Sequence, residues 1–253
     1  MIRFDAVANI CWPFMRITNL MVPMSTFSAS PFISSQSILN LRKAFPDAEA
    51  LGAAVRGGKR HGQEILARLW LTEGIPFAFQ DNPSVYEEMR GWLSHMLNVH
   101  SKEITLVGSA RIGYSLAAPP NLGKPFGKHS DLDLCVVSAD LFRRFVETVE
   151  QFRADYQTGK VLPASDTERQ FWKENLTFAS RNIPKGFFDA NKVPNRQQYP
   201  LVQRTAQTMF LLVKRLDVTP MAPRVRKASI RIYRDWPCLI DRLAFNLGWA
   251  LNS

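Results

Sequence analysis

The sequence predicts an α+β fold, a small sheet with helices around it, on three observations. Short β-branched runs at 104–107 and 132–137 read as buried strands. Apolar residues at helical spacing recur on both sides of them, first between Ile38 and Leu71 and later in several stretches between Leu141 and Leu251. At 253 residues, with 46% hydrophobic and 21% charged residues, the chain has enough material for one substantial core with a helical partner. That composition excludes wholesale disorder and a fibrous repeat.

Residues 1–37 are expected to be a leader that could be flexible. Met1 to Val22 mixes apolar residues with Arg3, Asp5 and Arg16 and lacks the unbroken apolar run and small-residue cleavage site of a secretory signal. Met21 and Met24 precede a Ser-rich stretch, Ser25 to Ser37, so the biological start could lie downstream of Met1. No stretch reaches the roughly 18–20 apolar residues of a membrane span. Cys11, Cys135 and Cys238 are odd in number and scattered, which suits neither a zinc site nor a disulfide framework and fits a reducing cytoplasm.

Residues 38–98 read as a helical N-terminal region. Ile38, Leu41, Ala44 and Phe45 form one helical set and Ile65, Leu66, Leu69 and Trp70 another, with Gly57-Gly58 between them and Lys59-Arg60-His61 as a solvated basic turn. Val85, Met89, Trp92, Leu93 and Met96 then mark an amphipathic helix, with Ser84 as N-cap, Glu87 completing a capping box, and an end near Asn98.

Residues 99–195 are the expected core. Ile104 to Val107 runs as a strand into Gly108-Ser109, and a second strand spans Leu132 to Val137. The connection carries Pro119, Pro120, Gly123, Pro125 and Gly127 and reads as an irregular surface loop, a candidate lid. Helices follow over Leu141 to Tyr156 and from Pro163–Asp166 onward. Residues 196–253 form a basic helical C-terminal region, with helices at Gln203 to Leu216 and about Leu239 to Leu251 and a cationic stretch, Arg224 to Arg234, between them.

The net charge of +10 and a pI of about 9.8 attract phosphate-bearing partners without choosing among nucleotides, nucleic acid and anionic membrane surfaces. The chemistry lies in two motifs. A strand ending in Gly108-Ser109 turns sharply, leaves room for a phosphate and adds a hydroxyl donor, and a helix beginning there would strengthen anion binding. In Ser130-Asp131-Leu132-Asp133-Leu134, period two puts both aspartates on one face. Adjacent like charges repel, so the pair calls for a cation between them, and Mg²⁺ suits hard carboxylate oxygens.

Leu106-Val107-Gly108-Ser109 followed by Ser130-Asp131-Leu132-Asp133-Leu134 resembles the signature of the polymerase-β-like nucleotidyltransferase superfamily, over about residues 100–140. The resemblance implies a nucleotidyltransferase-type mixed sheet flanked by helices, with additional N- and C-terminal helices. It implies Mg²⁺, or Mn²⁺ in its place, and transfer of a nucleoside monophosphate from a nucleoside triphosphate to a hydroxyl with release of pyrophosphate. The acceptor is open: RNA, a protein side chain, or a second nucleotide, as in members of bacterial antiviral defence or toxins. The Gly-Ser to Asp interval is longer here than in compact members.

The resemblance also implies Gly108 and Ser109 as nucleotide-binding residues and Asp131 and Asp133 as catalytic metal ligands with a third carboxylate. Candidates for the third are Asp189, Asp166 and Asp155; Asp189 is preferred because Gly186-Phe187-Phe188 before it reads as a short strand, although a turn acid before Asn191 is the alternative. Arg111 is a candidate phosphate contact or a structural ion pair, Lys214 a cation for the triphosphate, and His129 an aid to proton transfer or an incidental loop residue. Two other readings stand beside the enzyme: a catalytically inactive nucleotide- or nucleic-acid-binding protein of the same fold, and a structural basic protein whose acids are accidental.

Overall fold

The computed structural model describes residues 34–117 and 120–252. The expectations for residues 1–33 of the leader, for Cys11, Met21 and Met24, and for Pro119 in the loop lie outside those residues, while the end of the leader enters the short helix α1 (Gln36–Leu39). The described residues make one compact unit.

The architecture is α+β, with a four-stranded mixed sheet in the order β1-β2-β4-β3. Strand β1 (Ile104–Val107) pairs antiparallel with β2 (Asp131–Val137). Strand β4 (Lys227–Tyr233) runs parallel to β2, and β3 (Phe187–Asp189) lies antiparallel to β4 on its other side. A parallel pair needs a crossover, here the long connection from 138 to 226.

The sheet has two different faces. Leu106, Leu132, Leu134, Val136, Phe188, Ile230 and Ile232 belong to one core cluster with helices α3 (Pro83–Leu97), α5 (Ala139–Gln157), α6 (Asp166–Asn182) and α7 (Pro200–Val218). Each fully buried Leu or Ile there contributes roughly 1.5–3 kcal/mol. On the opposite face Cys135, Val137, Phe187 and Tyr233 pack with α2 (Ala48–Leu66) and α8 (Trp236–Asn252). That second face changes character along β2 and β4: it is apolar at Val137 and Tyr233 and polar at Asp133, Asp131, Ser229 and Lys227.

Two helical segments, taken together as α2, meet just after Gly57-Gly58 as expected, where Lys59 leaves helical geometry with φ 48° and ψ −159°. Other local expectations change. The N-cap of α3 is Asn82, with Pro83 in the first turn; Ser84 donates its hydroxyl to Asn82 Oδ1 at 2.8 Å, and Glu87 pairs with Arg90 instead of closing a capping box. Proline fits the first turn because its missing N–H has no partner to lose there. The larger difference is β4. Its sequence lies within the region expected to be basic and helical, yet Lys227, Ser229 and Arg231 alternate with Ala228, Ile230 and Ile232, of which the two isoleucines are buried in the core and Ala228 packs against it.

Candidate functional site

Val107 stands opposite Asp133 across the β1–β2 pair, so the turn that ends β1 falls beside the second aspartate. Gly108 adopts φ 68° and ψ −151°, a conformation essentially confined to glycine, and a Cβ at this position would lie 3.3 Å from Asp133 Oδ2. Ser109 begins α4 (Ser109–Ile112), a single turn closed at Gly113. So short a helix adds little dipole, which corrects the expected helical reinforcement; what remains is the open turn and its N–H and hydroxyl donors.

Asp131 and Asp133 share a face of β2. Opposite them on β4 stand Lys227 and Ser229. Arg226 grips Asp131 with two hydrogen bonds, 2.9 Å to Oδ1 and 3.1 Å to Oδ2, and Lys227 Nζ lies 3.4 Å from Oδ2. Burial opposes the Asp131 charge, but the Arg226 guanidinium and the Lys227 ammonium outweigh it and hold the carboxyl below its ordinary range. Ser229 donates its hydroxyl to Asp133 Oδ1 at 2.7 Å. The positive charge that an acid pair demands is thus met here by the protein's own side chains, and the basic stretch 224–234 supplies it.

Asp189 ends β3 opposite Arg231. Arg231 donates to both its oxygens, through Nε to Oδ1 and through Nη2 to Oδ2 at 3.0 Å. Burial works against the Arg231 charge, yet the Asp189 carboxylate dominates and raises its pKa. Arg231 is also the β4 partner of Cys135, so Asp189 sits one same-face step further along the sheet than Asp133 and two strand spacings, about 10 Å, away.

Two cavities meet at these side chains. The larger, of about 1010 Å³, is lined by Asp131, Asp133, Asp189, Lys214, Arg226 and Lys227 among others. The smaller, of about 440 Å³, is lined by Gly108, Ser109, Asp133 and Asp189 and walled by Leu243, Leu247 and Trp249 of α8. Both share Asp133, Asp189, Ser229 and Arg231. Of the three candidate third acids, Asp189 alone lines a cavity with the pair. Asp166 is an exposed partner of Arg169, and Asp155 accepts from the Tyr199 hydroxyl.

Arg111 is the clear correction. It is 3% exposed, lines neither cavity, and donates to the carbonyls of Trp70 at 3.0 Å and Gly74 at 2.7 Å. Its guanidinium thus fastens the segment before α3 to α4 through two backbone carbonyls, where a phosphate contact or an ion pair was expected. His129 lines neither cavity. Ser229, Arg226, Lys227 and Arg231 are the site residues that sequence reasoning missed. The period-two alternation of 227–233 was the signal, masked by a run of cations that reads equally well as a solvated surface.

Of the three acids expected to hold a divalent ion, Asp131 and Asp133 share one strand face. Mg²⁺ ordinarily takes one or two carboxylates and completes its shell with water and phosphate oxygens. Asp131 and Asp133 on one face would meet that need once Arg226 and Lys227, which hold both Asp131 oxygens, turn from it to a bound phosphate. Among the described residues no group of three or more His, Cys, Asp or Glu side chains is gathered as a metal cluster, and Asp189 is held by Arg231. Also among the described residues, no helix is long and apolar enough to cross a membrane. Comparison with protein-family models, with curated proteins and with solved structures finds no match to this chain.

Proposed function

We propose that the chain is a metal-dependent nucleotidyltransferase that moves a nucleoside monophosphate from a nucleoside triphosphate to a hydroxyl acceptor. The observation that carries this reading is the placement of Gly108 against Asp133, with Asp131 on the same strand face. In the transfer the acceptor oxygen bonds to the α-phosphorus as the bridge to the β-phosphate breaks, pyrophosphate leaves, and the hydroxyl proton passes to a carboxylate or to water. Mg²⁺ or Mn²⁺, when bound, neutralises charge on the phosphates.

The chain's own part is to orient and to balance charge. Asp131 and Asp133 would hold the ion, Ser229 fixes the Asp133 carboxylate, and the Gly108-Ser109 turn receives phosphate oxygens. Lys214 and Arg231 face the same space as cations. Asp189 serves as the third acid once Arg231 turns from it to a bound phosphate. RNA, protein and nucleotide all remain candidate acceptors.

The ion pair of Asp189 with Arg231 also favours a second reading, a nucleotide- or nucleic-acid-binding protein of this fold without transfer activity. Incubation with each α-labelled nucleoside triphosphate, Mg²⁺ and RNA, protein or nucleotide acceptors separates the two. The enzyme reading expects label in an acceptor from the native chain and none from Asp131→Ala/Asp133→Ala. Equal labelling by both proteins overturns the site; nucleotide binding without labelling supports the second reading.

A further inference from the structure

The larger cavity extends past the acids to a wall built by α6. Phe171 and Asn175 stand one helical turn apart on that wall, as an i,i+4 pair. Phe171 is 48% exposed, whereas Asn175 is 2% exposed. Among the described residues no hydrogen bond reaches the Asn175 carboxamide, and neither of its polar atoms is sealed from solvent. What surface this residue keeps therefore includes its amide, on the cavity wall. On α7, Phe210 is also exposed and lines the same space.

Buried carboxamides in folded proteins are nearly always paired, and an unpaired one marks a place where a ligand or water completes the set. Here the complement must offer a donor and an acceptor side by side, and it must be flat and apolar on its faces to lie against Phe171 or Phe210. A nucleobase has both properties. On the purine edge that carries N7, adenine presents an amino donor next to a ring-nitrogen acceptor and takes a carboxamide in a bidentate pair, whereas the same edge of guanine offers two acceptors, O6 and N7.

Resting on the nucleotidyltransferase reading, we propose that Asn175 reads the edge of a nucleobase seated in the larger cavity and that the base it selects is adenine. Its Oδ1 accepts from the amino group and its Nδ2 donates to the ring nitrogen. The base belongs either to the triphosphate or to an adenosine of the acceptor, and the test distinguishes them.

Equilibrium binding of fluorescent ATP and GTP with Mg²⁺, and of short oligoadenylate and oligoguanylate without a triphosphate, is measured for the native chain, Asn175→Ala and Asn175→Asp, with melting curves as a check of folding. The native chain is expected to prefer the adenine ligand about tenfold or more. Asn175→Ala is expected to lose that preference while still binding nucleotide, and Asn175→Asp, which trades the donor for a second acceptor, to turn against adenine. Preference among triphosphates assigns the base to the donor nucleotide; preference among oligonucleotides alone assigns it to the acceptor. Equal binding of adenine and guanine by the native chain, a ratio that needs no variant, overturns the inference, as does a preference that survives Asn175→Ala. If the native chain binds no nucleoside triphosphate, the functional reading falls, and this inference with it.

Discussion

Ser229 stands directly opposite Asp133 in the parallel β2–β4 pair, and its hydroxyl donates to Asp133 Oδ1 at 2.7 Å. The residue that orients the second aspartate thus comes from a strand almost a hundred positions further along the chain. Removing the hydroxyl in Ser229→Ala leaves that carboxylate free to rotate. The expected cost is about 1 kcal/mol by denaturant unfolding, with weaker metal-dependent nucleotide binding, and Ser229→Thr is expected to keep both.

Gly108→Ala tests the turn. Its backbone conformation is strained for any side chain, and the new Cβ would press on Asp133 Oδ2 at 3.3 Å. Unfolding should register a loss of about 1–3 kcal/mol, and nucleotide binding should fall with it. Unchanged stability would mean that the turn is not held in this conformation.

The Asp189–Arg231 pair is partly shielded, with side chains 18% and 32% exposed. Breaking it from one side leaves a poorly hydrated charge. Arg231→Gln and Asp189→Asn are each expected to cost about 2 kcal/mol, below the full cost for a deeply buried pair because water still reaches Arg231. The double variant should cost less than the sum of the two, a coupling read directly from a double-mutant cycle of melting curves.

Asp235 precedes α8, and its carboxylate accepts from the Cys238 N–H at 2.9 Å. The Cys238 hydrogen bonds, followed by the Arg234 guanidinium, lower its pKa from the ordinary 3.8 to about 2. A depressed carboxyl contributes stability that is fully present above its unfolded value and is lost as pH falls through the folded one. Stability from Asp235 should therefore decline between about pH 4 and pH 2. Asp235→Asn is expected to flatten that part of the curve, and Asp235→Ala to cost about 1 kcal/mol at neutral pH, as for other helix caps.

Strands β1 and β2 were legible because both are short, β-branched and bounded by turn residues, and β3 because two aromatics precede its acid. The face shared by Asp131 and Asp133 followed from period two alone. Strand β4 was not legible, since Lys227, Ser229 and Arg231 point toward other charges and only the alternate residues are buried. A strand with one polar face reads as a basic surface until its neighbours are known. Arg111 failed for the opposite reason: proximity to Ser109 in sequence says nothing about which side of a one-turn helix a side chain takes, and burial sent this one to the carbonyls of Trp70 and Gly74.

The proposed function requires Asp131 and Asp133 to hold a divalent ion next to a bound triphosphate. Electron paramagnetic resonance of Mn²⁺ tests it without knowledge of the acceptor. Adding the native chain with a non-hydrolysable ATP analogue should diminish the signal of the free ion beyond what the analogue alone removes. Asp131→Asn/Asp133→Asn, matched in fold by its melting curve, should lose that additional effect. Equal Mn²⁺ uptake by the two proteins would contradict the account.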